Sequence, residues 1–220
     1  MSAAARSPGA GRLMTGVAWT VLLLALWLWG KDLTDDAPRY PTGQTSAAQG
    51  RTDAGHPLPP ARAPLDEGGA PTRVAIAELG VDAAVIRRGL DADGAVDPPP
   101  MSRAETVGWY AAGAAPGQAG AALLVGHVDT ESERAVFYEL STLAAGDVVA
   151  VTRTDGSVAR FTVEDVEVVH REGFDAERVY GQRHADRAEL RLITCGGTFD
   201  QVTDSYTANV VVSAYLTGTA

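Results

Sequence analysis

Leu190-Arg191-Leu192-Ile193-Thr194-Cys195-Gly196-Gly197 is the stretch from which the rest of the chain is read. It is an apolar, β-branched run that ends on a cysteine and two glycines. Leu190, Leu192 and Thr194 alternate with Arg191, Ile193 and Cys195, so a strand places the two sets on opposite faces. The glycine pair is expected to break the strand and let backbone come close to whatever lies at its end. Cys195 is the only cysteine in the 220 residues. The ordinary reading of a free cysteine is a small buried hydrophobe. A thiol at a strand end beside glycines is also where a nucleophile is held firmly and stays reachable.

A second stretch has the same build. Ala121-Ala122-Leu123-Leu124-Val125 is an apolar strand that runs into Gly126-His127-Val128-Asp129. Around these two, short alternating segments recur: Thr72–Leu79, Val81–Ile86, Asp147–Arg153, Phe161–His170 and Asn209–Tyr215. Val107-Gly108-Trp109-Tyr110 reads as an aromatic edge. Gly89–Gly94, Pro116-Gly117 and Asp155-Gly156 read as turns. Asp91-Ala92-Asp93-Gly94 matches only the opening of a calcium loop and is taken as a turn. Asp97-Pro98-Pro99-Pro100 fits neither a helix interior nor a central strand. Helical signal is confined to Phe137–Leu140 and Asp175–Tyr180. Many short strands and few helices predict an all-β fold, a closed or nearly closed barrel.

The N-terminus differs in kind. After a short segment, 1–12, residues 13–30 (LMTGVAWTVLLLALWLWG) carry no charge. As a helix they span roughly 27 Å, close to the hydrocarbon thickness of a bilayer. Trp27 and Trp29 stand near one end, where aromatic rings favour the interface. Arg6 and Arg12 precede the run and Asp32, Asp35 and Asp36 follow it. The positive-inside bias then leaves residues 1–12 in the cytoplasm and the remainder outside. The run is long for a signal-peptide core and no A-x-A site follows it directly, so an uncleaved signal anchor is expected. Residues 31–71 are rich in Pro, Ala, Gly, Thr and Asp and read as a flexible linker.

Removing residues 1–71 leaves about 150, residues 72–220, enough for one domain with its own core. The net charge of −10 argues against nucleic acid as a partner and against electrostatic attachment to a membrane surface. Membrane attachment would rest on the apolar helix. One cysteine excludes an internal disulfide and a thiolate zinc site, and the four histidines are far apart in sequence. Neither a cofactor nor a metal is expected.

A thiol is a weak nucleophile near neutral pH unless a base or a cation favours the thiolate. His127 also ends a strand and is the natural partner. His170 ends another strand and competes with it, while His184 lies in a polar loop. The residues alone leave that choice open.

Gly126-His127-Val128-Asp129, Leu192–Gly197 and Tyr206…Asn209-Val210-Val211-Val212 resemble the sortases, specifically the class F sortases of actinobacteria. The similarity runs across Thr72–Tyr215 and takes in Gly108-Trp109-Tyr110, Pro116-Gly117 and Phe137-Tyr138. The resemblance implies an eight-stranded sortase β-barrel with short helices, anchored by a transmembrane helix on the extracellular face of the cell membrane. It implies a cysteine transpeptidase that cleaves an LPxTG-like sorting motif of surface proteins. The thioacyl-enzyme is then resolved by an amine of a cell-wall precursor. By the same resemblance Cys195 is the nucleophile and His127 the general acid/base. Asp129 and Gly196, inside the two motifs, are the supporting positions.

One position departs from the family. Sortases carry an arginine on the strand after the cysteine, and this chain has Thr207 there. A hydroxyl cannot supply the forked, charged donor set of a guanidinium. Another arginine substitutes, or the protein is a slow enzyme, or it is a catalytically impaired module that binds sorting peptides. Arg191 shares the face of Cys195 but starts about 13 Å away along the strand, so it is expected to be a surface charge and not a substitute.

Overall fold

The alternating segments pair edge to edge until the sheet closes on itself. The computed structural model describes residues 55, 57–65, 69–92, 94–172, 174–201 and 205–220. Among the described residues there are eight strands: β1 Pro71–Ile76, β2 Val81–Arg88, β3 Val107–Tyr110, β4 Gly120–Val125, β5 Val148–Arg153, β6 Val158–His170, β7 Ala188–Asp200 and β8 Ser205–Thr219. The barrel order is β1-β2-β3-β4-β7-β8-β6-β5. Two neighbouring pairs are parallel, β2 with β3 and β4 with β7, and the others are antiparallel. A parallel pair cannot be joined by a tight turn. The connection from β4 to β7 accordingly runs through the β5–β6 hairpin and a helix, α1, Ala176–Tyr180.

Alternation decides what fills the barrel. Val74, Ile76, Leu124, Phe161, Leu192 and Val212 point inward and are fully buried. Side chains of this size each contribute about 1.5–3 kcal/mol when fully buried. The opposite pleat of four adjacent strands carries a second apolar cluster on the outside. Leu123 and Val125 of β4, Ile193 of β7, Val211 of β8 and Val169 of β6 form it, with Val96 and with Val179 of α1. This outer cluster is the floor of the site described below.

The structure departs from the sequence reading at several points. The first segment ends as a strand at Ile76; Ala77–Leu79 form a 3-10 turn closed by Gly80 at φ 63°. Val107–Tyr110 is not an edge but lies between β2 and β4, because β2 reaches across to pair with it in parallel. Gly196-Gly197 does not end β7. The strand continues to Asp200 through a bulge between Gly196 and Phe199. A side chain at Gly197, φ 79°, would also meet Thr207 Oγ1 at 2.6 Å, so glycine is needed there on both counts. The helical turn at Asp175–Tyr180 is present, with the Asp175 side chain accepting from Arg178 N–H at 3.1 Å.

Ahead of β1, Pro57–Leu65 lies along the barrel. Arg62 N–H donates to Leu216 O at 2.8 Å and Leu65 N–H to Gly117 O at 2.8 Å. Tyr215 OH donates to Pro59 O at 2.7 Å. The apolar run 13–30, expected to span a membrane, and residues 1–12 lie outside the described residues. Among the described residues, no helix is long and apolar enough to cross a membrane.

Candidate active site

The two motif strands are neighbours. β4 and β7 run parallel with Val125 opposite Ile193, and Gly126 N–H donates to Ile193 O at 3.1 Å. Two residues further on, each chain reaches its chemical group, His127 and Cys195. Val125 and Ile193 both belong to the outer cluster, so the pleat carries His127 and Cys195 to that same outer face. Adjacent strands lie about 4.8 Å apart, so positions 127 and 195 stand on neighbouring chain paths over one face of the barrel. On its other edge Cys195 pairs with Asn209 of β8, which pairs with Val169 of β6. Both Cys195 and His127 are half-buried.

His127 is held by a part of the chain that reads in sequence only as a breaker. Its Nε2 lies 2.6 Å from Pro99 O. A carbonyl oxygen can only accept, so Nε2 carries a hydrogen and the neutral ring has its lone pair on Nδ1. Pro99 is in turn fixed by the loop that precedes it. Arg88 Nε donates to Asp97 O at 3.2 Å and its guanidinium pairs with the Asp97 carboxylate, while Asp97 N–H donates to Gly89 O at 3.0 Å. Gly126 completes the support: a Cβ there would sit 2.6 Å from Phe137 Cδ2 and 2.7 Å from Val136 Cγ1. Phe137 N–H also donates to His127 O at 3.0 Å.

The thiol sits in an environment that disfavours its charge. Burial pushes the Cys195 pKa up, Arg171 pulls it down, and Asp129 pushes it up again. Asp129 accepts a hydrogen bond from Tyr206 OH. That bond, more than burial, pushes the Tyr206 phenol up to about 12. Tyr180 of α1 also lies close enough to be affected by Cys195, though burial is the main cause of its raised pKa. Asp129 thus belongs to the site, and Gly196 lies in it on the opposite pleat, where a Cβ would meet Val210 Cγ2 at 2.7 Å.

The other histidines stand apart. His170 pairs with Ala208, one residue out of phase with the rung Val169–Asn209–Cys195, so its ring leaves on the other face. His184 lies exposed in the segment between α1 and β7. Thr207 is exposed and its hydroxyl is engaged, accepting from Thr198 N–H at 3.0 Å. Among the described residues, no group of three or more His, Cys, Asp or Glu is placed to hold a metal ion.

Arg191 is not the surface charge expected from the sequence. It is 1 % exposed and pairs with Glu189 at 2.6 Å, also donating to Gly181 O at 3.0 Å. Glu189 further accepts from Arg183 N–H at 3.0 Å and His184 N–H at 2.8 Å. The pair therefore ties down the segment after α1, and with it Val179 and Tyr180 beside the thiol. Truncating one member leaves the other charge buried and alone, which costs about 3–5 kcal/mol. Arg191→Met is expected to lower the unfolding free energy by that amount, read from urea denaturation. Unchanged stability would show that the carboxylate takes up a proton at little cost.

Comparison with known proteins agrees with this fold. The family model for the sortase domain matches residues 74–217. The SrtA sortase from Actinomyces oris superposes with a TM-score of 0.53 at 21% identity, covering 78% of this chain and 90% of that one. Sortase C1 from Streptococcus agalactiae gives 0.51 at 17% identity, covering 70% of each chain. A lid mutant of sortase A from Corynebacterium diphtheriae gives 0.51 at 17%, covering 69% of this chain and 72% of that one. At these identities the structures speak for the fold. No curated protein matches the sequence. The family model spans more than half the chain and encloses both motif strands, so the chain belongs to the sortase family of cysteine transpeptidases.

Proposed function

We propose that the protein is a sortase of the class F type that acts at the outer face of the cell membrane. In this reading Cys195 is its nucleophile and His127 its general acid/base. The observation that supports it is the pairing of β4 with β7, which brings positions 127 and 195 onto neighbouring chain paths, with His127 Nε2 committed to Pro99 O. Nδ1 is then the ring atom available for proton transfer. The raised thiol pKa means the resting thiol is protonated, so a base is required.

The steps follow. As a sorting peptide enters, His127 Nδ1 takes the Cys195 proton and the sulfur attacks the scissile carbonyl. The tetrahedral oxyanion collapses, the C–N bond breaks, and the imidazolium returns the proton to the departing amine. A thioester on Cys195 remains. An acceptor amine, in this reading from a cell-wall precursor, gives up a proton to His127 and attacks the thioester. The new amide forms, the C–S bond breaks and the thiol is restored. The LPxTG-like motif, the acceptor and the anchor formed by residues 13–30 are supported by the family resemblance and by the apolar run.

The test is intact-protein mass spectrometry after incubation with an LPxTG-containing peptide and no acceptor. A mass increase equal to the acyl fragment, mapped to Cys195 and discharged by an added amine, is the expected result. Cleavage of the peptide without any adduct on Cys195 would sink the assignment.

A further inference from the structure

The rung beyond Cys195 carries an exchange between two strands. Thr207 on β8 is uncharged, and its hydroxyl is already used on Thr198 N–H. The residue facing it, one past the end of β6, is Arg171, whose N–H donates to Thr207 O at 3.1 Å and so continues the β6–β8 ladder one step past His170. Val169 belongs to the outer cluster, so Arg171, two residues on, leaves on the same face as Cys195 and Asn209.

The guanidinium is exposed and, among the described residues, pairs with no carboxylate. Other arginines further along the chain are committed. Arg178 faces Glu167, Arg183 is paired with Asp165, and Arg191 with Glu189. The charged and titratable groups that act on the thiol or feel it are Asp129, beyond β4, Arg171, just past β6, Tyr206 from β8 and Tyr180 from α1, and His127 follows β4 on the same face. In this set Arg171 is the fixed positive charge. An oxyanion beside a half-buried thiol and the Asp129 carboxylate meets burial and repulsion, and Arg171 is placed to offset both.

We infer that Arg171 binds the substrate carbonyl and stabilises the oxyanion, delivering from just past β6 the guanidinium that β8 lacks at Thr207. This rests on the sortase reading above. The forked donors of arginine suit a carbonyl oxygen whose charge grows during attack, and a lysine in its place would offer a point charge without the fork.

The experiment has two readouts on the full chain. In the first, kcat/KM for a sorting peptide is expected to fall about 10²–10³-fold in Arg171→Gln, the scale of one lost oxyanion donor, and less in Arg171→Lys. Adding Thr207→Arg to Arg171→Gln is expected to restore at least a tenth of the wild-type value, since it returns a guanidinium to the same rung. Thr207→Arg alone is expected to bring no gain. The second readout needs no substrate. The rate of Cys195 alkylation by iodoacetate, relative to neutral iodoacetamide, is expected to drop several-fold in Arg171→Gln, with the pH midpoint of alkylation moving upward. A structural role would alter neither the reagent ratio nor the double variant's recovery. Circular dichroism and Arg171→Lys guard against misfolding. Unchanged kcat/KM and reagent ratio in Arg171→Gln would overturn the inference. Wild-type protein that never acylates, yet shows the change in reagent ratio, would overturn the sortase reading and leave Arg171 beside the thiol as the local cation.

Discussion

His127→Ala is expected to lower kcat/KM for a sorting peptide by about 10²–10⁴-fold, the usual contribution of a positioned general acid/base. The reason is the protonation state of the thiol. Burial holds Cys195 as the neutral form, so sulfur cannot attack until a neighbour removes its proton. In the proposed reading that neighbour is His127, two residues past Val125, where β4 pairs with β7. Loss of the ring also removes the acid that protonates the departing amine, so both halves of the reaction suffer. His170→Ala and His184→Ala are expected to keep most activity, the first because its ring leaves on the other face, the second because it is exposed in the loop before β7. Asp97→Ala acts at one remove, by freeing the loop that presents Pro99 O to Nε2, and its loss should be smaller and partly in KM. A His170 variant with no activity beside a normal His127 variant would reverse the assignment.

The contrast among the histidines shows what the sequence made legible. The strands leading to Val125 and Cys195 are readable from alternation, because a pleat with one buried face leaves a period of two. That both polar groups lie on the outer face is not. It depends on register between β4 and β7, which are separated by the β5–β6 hairpin and α1, and parallel pairing over such a distance leaves no local mark. Gly196-Gly197 reads as a strand end, because glycine weakens strands. The chain instead keeps pairing there, since Thr207 Oγ1 satisfies the N–H that the bulge displaces. Arg191 reads as a surface charge because it starts about 13 Å from Cys195 along the strand. The signal against that was present two residues earlier, in Glu189 on the same pleat, a carboxylate able to follow it into a buried position. Pro99 reads as a breaker, which it is, but its carbonyl is what orients His127. Arg171 falls just after a strand, where nothing local marks a side chain as functional. Only the β6–β8 register, with Thr207 opposite, picks it out.

Cys195→Ala is expected to abolish peptide cleavage altogether, since no other thiol exists in the chain to carry the acyl group. A binder would keep its affinity for the peptide and show no turnover even as wild type, so the pair of measurements separates enzyme from binding module. The pH dependence of the wild-type thiol gives the physical reason for the role assigned to His127. Burial, and then Asp129, raise the pKa of Cys195, and Arg171 only partly offsets them. A raised pKa keeps the proton on sulfur across the neutral range, and thiolate builds up only as pH climbs past the folded-state value. Alkylation by iodoacetamide should therefore rise about tenfold per pH unit and level off above the range of an ordinary cysteine, near 8.5. Asp129→Asn removes a negative neighbour and should bring that plateau to lower pH. Peptide cleavage should not follow the alkylation curve, because His127 abstracts the proton within the complex and lets attack proceed while the free thiol is still protonated. A cleavage profile that tracks alkylation point for point would mean that free thiolate, formed without His127, is the attacking species.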